Sequence, residues 1–227
     1  MENVYIAARY LHIVAGIIAF FVAPVALLAR KGGYTHIVWG KIFFWAIILV
    51  AFTALPMTLY HPNMFLFLIS IFSVHLSLSG YRASITRKAK DFHKSKLIDK
   101  SIATGTLVVY LLLISWGIFI IYNTENAAFG YIAIVFGIVG LRFSITQLNS
   151  LKKSSANKMD WWFKHMQGMV GAYIATVSAF SAVNFYFLPP VIRWLWPTIL
   201  GSIGLYIWES YYKKKFKKIS ATSAMHV

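Results

Sequence analysis

Polar residues in this chain come in short clusters, and between the clusters run seven apolar stretches of membrane-spanning length. At ~1.5 Å rise per residue and a ~30 Å hydrocarbon core, the pattern predicts helices over about residues 5–29, 36–60, 63–86, 99–122, 127–149, 164–187 and 191–212. The breaks carry turn chemistry: "HPN" at 61–63, "NTENAAFG" at 123–130 and "LPP" at 188–190, where proline ends one helix and directs the next. The predicted fold class is all-α, a polytopic membrane bundle of seven transmembrane helices forming one domain over 1–212, followed by a basic tail over 213–227.

Composition agrees with this pattern. The chain is 59% hydrophobic and 12% charged with mean hydropathy +0.67, whereas soluble domains carry about 25% charged residues. There is no cysteine, which excludes disulfides, thiolate metal sites and cysteine nucleophiles. The opening "MENVYIAARYLH" lacks the basic n-region and cleavage site of a signal peptide, so the first helix is expected to stay as a span.

The net charge of +16 points to membrane rather than nucleic acid, because of where the charges lie. Arg30, Lys31 and Lys41 flank the first loop. Seven basic residues from Arg82 to Lys100 crowd the third, five from Arg142 to Lys164 mark the fifth, and Lys213, Lys214, Lys215, Lys217 and Lys218 form the tail. That places 20 of the 22 basic residues on one side, leaving Arg9 and Arg193 on the other. The positive-inside rule then predicts the N-terminus outside, the C-terminus cytoplasmic and an inner-membrane location. The tail reads as a topology determinant with attraction to anionic lipid headgroups.

Two internal echoes add organisation. "GYRASIT" at 80–86 returns as "GLRFSIT" at 140–146, predicting a duplicated hairpin, 63–123 and 127–187, of the kind that places a site at the repeat interface. His165 opens the last helix of the second copy, where the first copy has Thr104. "HIVAG" at 12–16 returns as "HIVWG" at 36–40, with His and Gly four apart on one helix face. The small residues of the sixth helix predict a central, tightly packed element.

Ionisable groups inside spans are functional candidates because an unpaired one costs several kcal/mol. His36, His75, His165, Arg82 and Arg142 are expected to converge on the cytoplasmic leaflet, joined by Gln167 and by Glu209 at the inner end of the seventh helix. Arg142, Thr146 and Asn149 form a polar stripe that predicts a wetted inner cavity. His12 alone lies in the outer half; His61 falls in the outer turn, and His93 and His226 in solvated segments.

Three chemistries suit such a cluster. Haem b would take His36 and His165 as axial ligands, or His75 with either, with Arg82 or Arg142 pairing the propionates or a quinone headgroup. A transporter or binding protein for an anionic or lipid-like molecule would use the repeat arginines. A metal-dependent hydrolase would hold zinc by His36, His75 and His165, although no His-Glu-x-x-His motif occurs.

"LHIVAGIIAFFVAPVALLARKGGYTHIVWGKIF" and "HMQGMVGAYIATVSAFSAVN" resemble a broad bacterial family of uncharacterised integral membrane proteins. Its pattern is Leu-His-x-x-x-Gly, a Lys/Arg-Gly-Gly turn, His-x-x-x-Gly and a later His-x-x-x-Met helix. The resemblance covers the first, second and sixth helices and singles out His12, His36 and His165. It implies a histidine-bearing membrane bundle distantly reminiscent of membrane cytochromes b and supplies no reaction. Where many relatives place a basic residue after the late histidine, this chain has Met166 and Gln167.

Overall fold

The computed structural model describes residues 2–86, 92–125, 127–152 and 159–225, without the side chains of 92–95 and 218–225. Arg87, Lys88, Lys90, Lys153, Lys158 and His226 lie outside the described residues, as do the side chains of His93, Lys94 and Lys218. The elements are α1 (Glu2–Leu28), α2 (Tyr34–Tyr60), α3 (Met64–Thr86), α4 (Phe92–Asn123), α5 (Ala127–Lys152), α6 (Asp160–Asn184) and α7 (Pro190–Met225). There is no strand among the described residues.

Among the described residues, α1, α2, α3, α5, α6 and the part of α4 from Lys96 are the 6 helices long and apolar enough to cross a membrane. α7 is the exception. It is 36 residues long, with Arg193 near its start and Glu209 further along, and it runs on through the basic segment as continuous helix. The predicted tail is thus the extension of α7.

Local chemistry explains the breaks. Gly32 takes φ +78°, the left-handed region open to glycine, and the Gly33 N–H donates to the Arg30 carbonyl at 3.0 Å. The Lys31 ammonium donates to the Leu27 and Ala26 carbonyls that end α1, where a cation meets the negative end of the helix dipole. Asn63 caps α3, its Oδ1 accepting the Leu66 N–H at 3.1 Å. Pro190 opens α7, where its missing N–H costs nothing.

The centre of the bundle is α3, which packs on α2, α4, α5 and α6. α6, expected to be central from its small residues, lies instead against α1, α3 and α7. Those small residues serve one close crossing: a Cβ on Gly168 would stand 2.6 Å from the Gly80 Cα. α4 and α5 meet in the same way, Gly117 against Gly130. α5 and α6 make no contact among the described residues, so the second half of the predicted duplication is not a packed pair. Phe65, Phe72, Phe136 and Trp194 fill the centre in edge-to-face contacts.

Candidate functional site

The end of α1 and the starts of α2 and α6 come together around a cavity of about 540 Å³, within the range of small-molecule sites. His36 and His165 both line it, with Ala23, Ala26 and Gly40 leaving room, and Tyr81, Tyr173, Trp161, Trp162 and Trp208 forming aromatic walls. The two imidazole centres are 6.0 Å apart with planes at 78°.

Their hydrogen bonds set the tautomers. His36 Nδ1 lies 2.9 Å from the Ala26 carbonyl oxygen, and His165 Nδ1 lies 2.9 Å from the Gly80 carbonyl oxygen. A carbonyl can only accept, so Nδ1 carries the proton in each ring, and Nε2 is the nitrogen through which either ring would bind a metal. Metal-bound histidines are commonly oriented in this way, one nitrogen held by a backbone carbonyl and the other presented to the ion. The α3–α6 crossing makes the second bond possible, because only glycine at 80 and 168 lets α6 approach near enough for His165 to reach that carbonyl. Gly40, one turn beyond His36, opens on space: nothing lies within 4 Å of a Cβ built there.

The cavity is electropositive. Lys31 and Lys41 line it and no carboxylate does. The Lys31 ammonium sits 5.3 Å from the Trp208 ring centre, and burial lowers its pKa from the usual lysine range. Lys41 is exposed, with no ion-pair partner among the described residues.

The other candidates lie elsewhere. His75, 1% exposed, sits between α3, α4 and α5 in a closed polar network. The Tyr110 hydroxyl donates to its Nδ1 at 2.7 Å, its Nε2–H donates to Gln147 Oε1 at 3.0 Å, and Thr106 Oγ1 is 3.3 Å from the same nitrogen. Arg82 pairs with Asp99 at 2.5 Å. Arg142, Thr146 and Asn149 are exposed on the outer face of α5, because Gly137, Gly140 and Ser144 of the same helix face inward, and the stripe does not line the cavity of His36 and His165. Neither arginine lines the cavity. Gln167 Nε2 donates to Glu209 at 2.8 Å, and Glu209 also pairs with Lys213 at 2.5 Å; this cluster ties α6 to α7. No three His, Asp or Glu side chains group as metal ligands among the described residues, so the zinc site of His36, His75 and His165 is not assembled. His12 donates from Nδ1 to the Val50 carbonyl at 3.0 Å, with Thr53 Oγ1 at 3.2 Å.

No family model, no curated protein and no solved structure matches this chain. The arrangement of the cavity therefore carries the functional reading. Lys31, Lys41, Tyr81 and Trp208 also line the cavity, although no motif in the sequence marks them as a group. The Arg-Lys-Gly-Gly turn was a signal for the first, since it seats Lys31 at the mouth, whereas Tyr81 and Trp208 come from helices whose approach no local pattern encodes.

Proposed function

We propose that this chain is a seven-span protein of the cytoplasmic membrane that binds haem b between His36 and His165 and takes part in membrane electron transfer. The carrying observation is the pair of imidazoles in one cavity, each with Nδ1–H given to a backbone carbonyl and Nε2 as the lone-pair nitrogen. Two imidazoles sharing one metal at ~2 Å from each Nε2 have ring centres roughly 6 Å apart, and these are 6.0 Å apart. Ala23, Ala26 and Gly40 leave space for a flat ring, and Lys31 and Lys41 suit its propionates in place of Arg82 and Arg142. Bound haem would supply a one-electron couple; the chain would orient both imidazoles, exclude water with its tryptophans and balance the carboxylates. Electrons would pass to or from a quinone or a redox partner. The distribution of 20 of 22 basic residues supports an N-terminus outside and this cavity at the cytoplasmic end.

The test is the visible spectrum of the purified protein, with and without dithionite, after expression with ample haem. A Soret band lost in both His36→Ala and His165→Ala is expected. A haem-free wild type overturns the reading.

A second reading rests on the cavity's charge: lysines, aromatic walls and no carboxylate suit an anionic amphiphile held without iron. Mass spectrometry of molecules that co-purify with the haem-free protein distinguishes it.

A further inference from the structure

The two His-x-x-x-Gly motifs are related by more than wording. His36, on α2, bonds the carbonyl of residue 26 on α1; His12, on α1, bonds the carbonyl of residue 50 on α2. The motifs are offset by 24 residues, and so are the two acceptors. Each histidine thus makes on the opposite helix the bond that its counterpart makes. α1 and α2 are antiparallel neighbours, and this reciprocity is what a pseudo-two-fold axis between them requires. Such an axis, perpendicular to the plane of the pair, keeps both rings on one side of that plane and sends them to opposite ends. The glycines obey it too, since neither Gly16 nor Gly40 has any atom within 4 Å of a built Cβ.

The symmetry is broken in one respect that bears on what His12 can meet. Tyr34, the start of α2, corresponds in this register to Tyr10, so residues 2–9 of α1 extend beyond the repeat. Residues 53–60 of α2 extend alongside them, with Tyr5 stacked on Tyr60 at 4.8 Å. That extension puts His12 about 15 Å of helix from the start of α1, roughly one turn beyond the exposed Arg9, whereas His36 stands at the end of its helix. The bond to Val50 leaves Nε2 of His12 as an acceptor, and nothing hydrogen-bonds it among the described residues.

We infer that α1 and α2 form an inverted two-helix repeat with two imidazole stations, and that His12 with Gly16 is a second binding position, for a lipid-soluble ring bearing a donor hydroxyl, of the quinol class. The lone pair calls for a donor, the exposed apolar side chains around it, Leu11, Ile13 and Ile17, call for a ligand that arrives through the hydrocarbon, and the open side of Gly16 gives a flat ring space beside the imidazole. This position stands without the haem reading, because it uses neither His36 nor His165.

The probe is decylubiquinol, kept reduced, titrated into the full chain in lipid nanodiscs and followed by tryptophan fluorescence. His12→Asn keeps a donor where Nδ1 stood and removes the Nε2 lone pair; it is expected to weaken binding by about ten-fold. His36→Ala is expected to leave the affinity within about two-fold. Should His12→Asn fail to fold, Gly16→Leu keeps the imidazole and fills the open space, and is expected to abolish binding. The proposal is overturned by absence of saturable binding to the wild type, by wild-type affinity in the folded variant, or by loss that follows His36 instead. Presence or absence of a Soret band is read separately and decides only the haem reading.

Discussion

At the scale of single residues, three histidines share one device: Nδ1–H given to a carbonyl of a neighbouring helix. His75, buried where those three are half-buried, differs. It has both nitrogens engaged by side chains, which suits a structural role at the α3–α4–α5 contact. Tyr110→Phe keeps that packing and removes the donor to His75. It is expected to cost about 1–3 kcal/mol, read as a lower apparent melting temperature in detergent, while the spectrum of the His36–His165 cavity stays as in wild type. A changed spectrum would join two sites kept separate here. Lys41→Glu tests the cavity's charge: affinity for the proposed haem should fall, and the difference should shrink at high salt because Lys41 is exposed and screened. Equal binding by both proteins at low salt would rule out that role.

At the scale of elements, the α3–α6 crossing connects packing to chemistry. A methyl at 168 would meet the backbone of Gly80, so Gly168→Ala must push the helices apart. A cost of about 1–3 kcal/mol is expected, together with loss of whatever ligand needs His165 in register. Gly40→Ala is the matched control. It meets nothing within 4 Å and replaces glycine within a helix, so stability should hold or rise by about 0.5–1 kcal/mol. Thermal denaturation of the two variants side by side checks the contrast, and equal destabilisation would contradict the crossing. The glycines of the two seven-residue repeats face different partners in the same way: Gly80 receives the backbone of α6, and Gly140 receives the ring of Tyr110 from α4.

At the scale of the whole molecule, α3 is surrounded while α4 is the most peripheral of the apolar helices, with 17% of its apolar window buried. Exposed apolar residues along α1, α2, α4 and α7 are what a lipid-facing surface looks like, the reverse of a soluble bundle. α7 decides the number of crossings. If it spans, the two termini face opposite sides. A green fluorescent protein fused after Val227 should then fluoresce, and alkaline phosphatase fused there should be inactive. Both results reversed would place the C-terminus outside and overturn the orientation drawn from charge.

Helix number, most helix limits to within a few residues and the apolar surroundings were legible in the sequence alone; the start of α4, seven residues early, and the end of α7, thirteen residues late, were not. They follow from local quantities: length of apolar runs, turn residues such as Gly32 and Asn63, and the placement of charge. The candidate pair His36 and His165 was legible as two residues at one depth. Their meeting was not, because the rotation of each helix about its axis is set by where its glycines let a neighbour approach. The same rotation turned Arg142, Thr146 and Asn149 outward, took His75 into a separate network, and made α3 rather than α6 the centre. Depth is a one-dimensional property that the chain carries in its order of residues; which face meets which is fixed only when the helices pack, since it depends on steric fit between segments far apart in sequence.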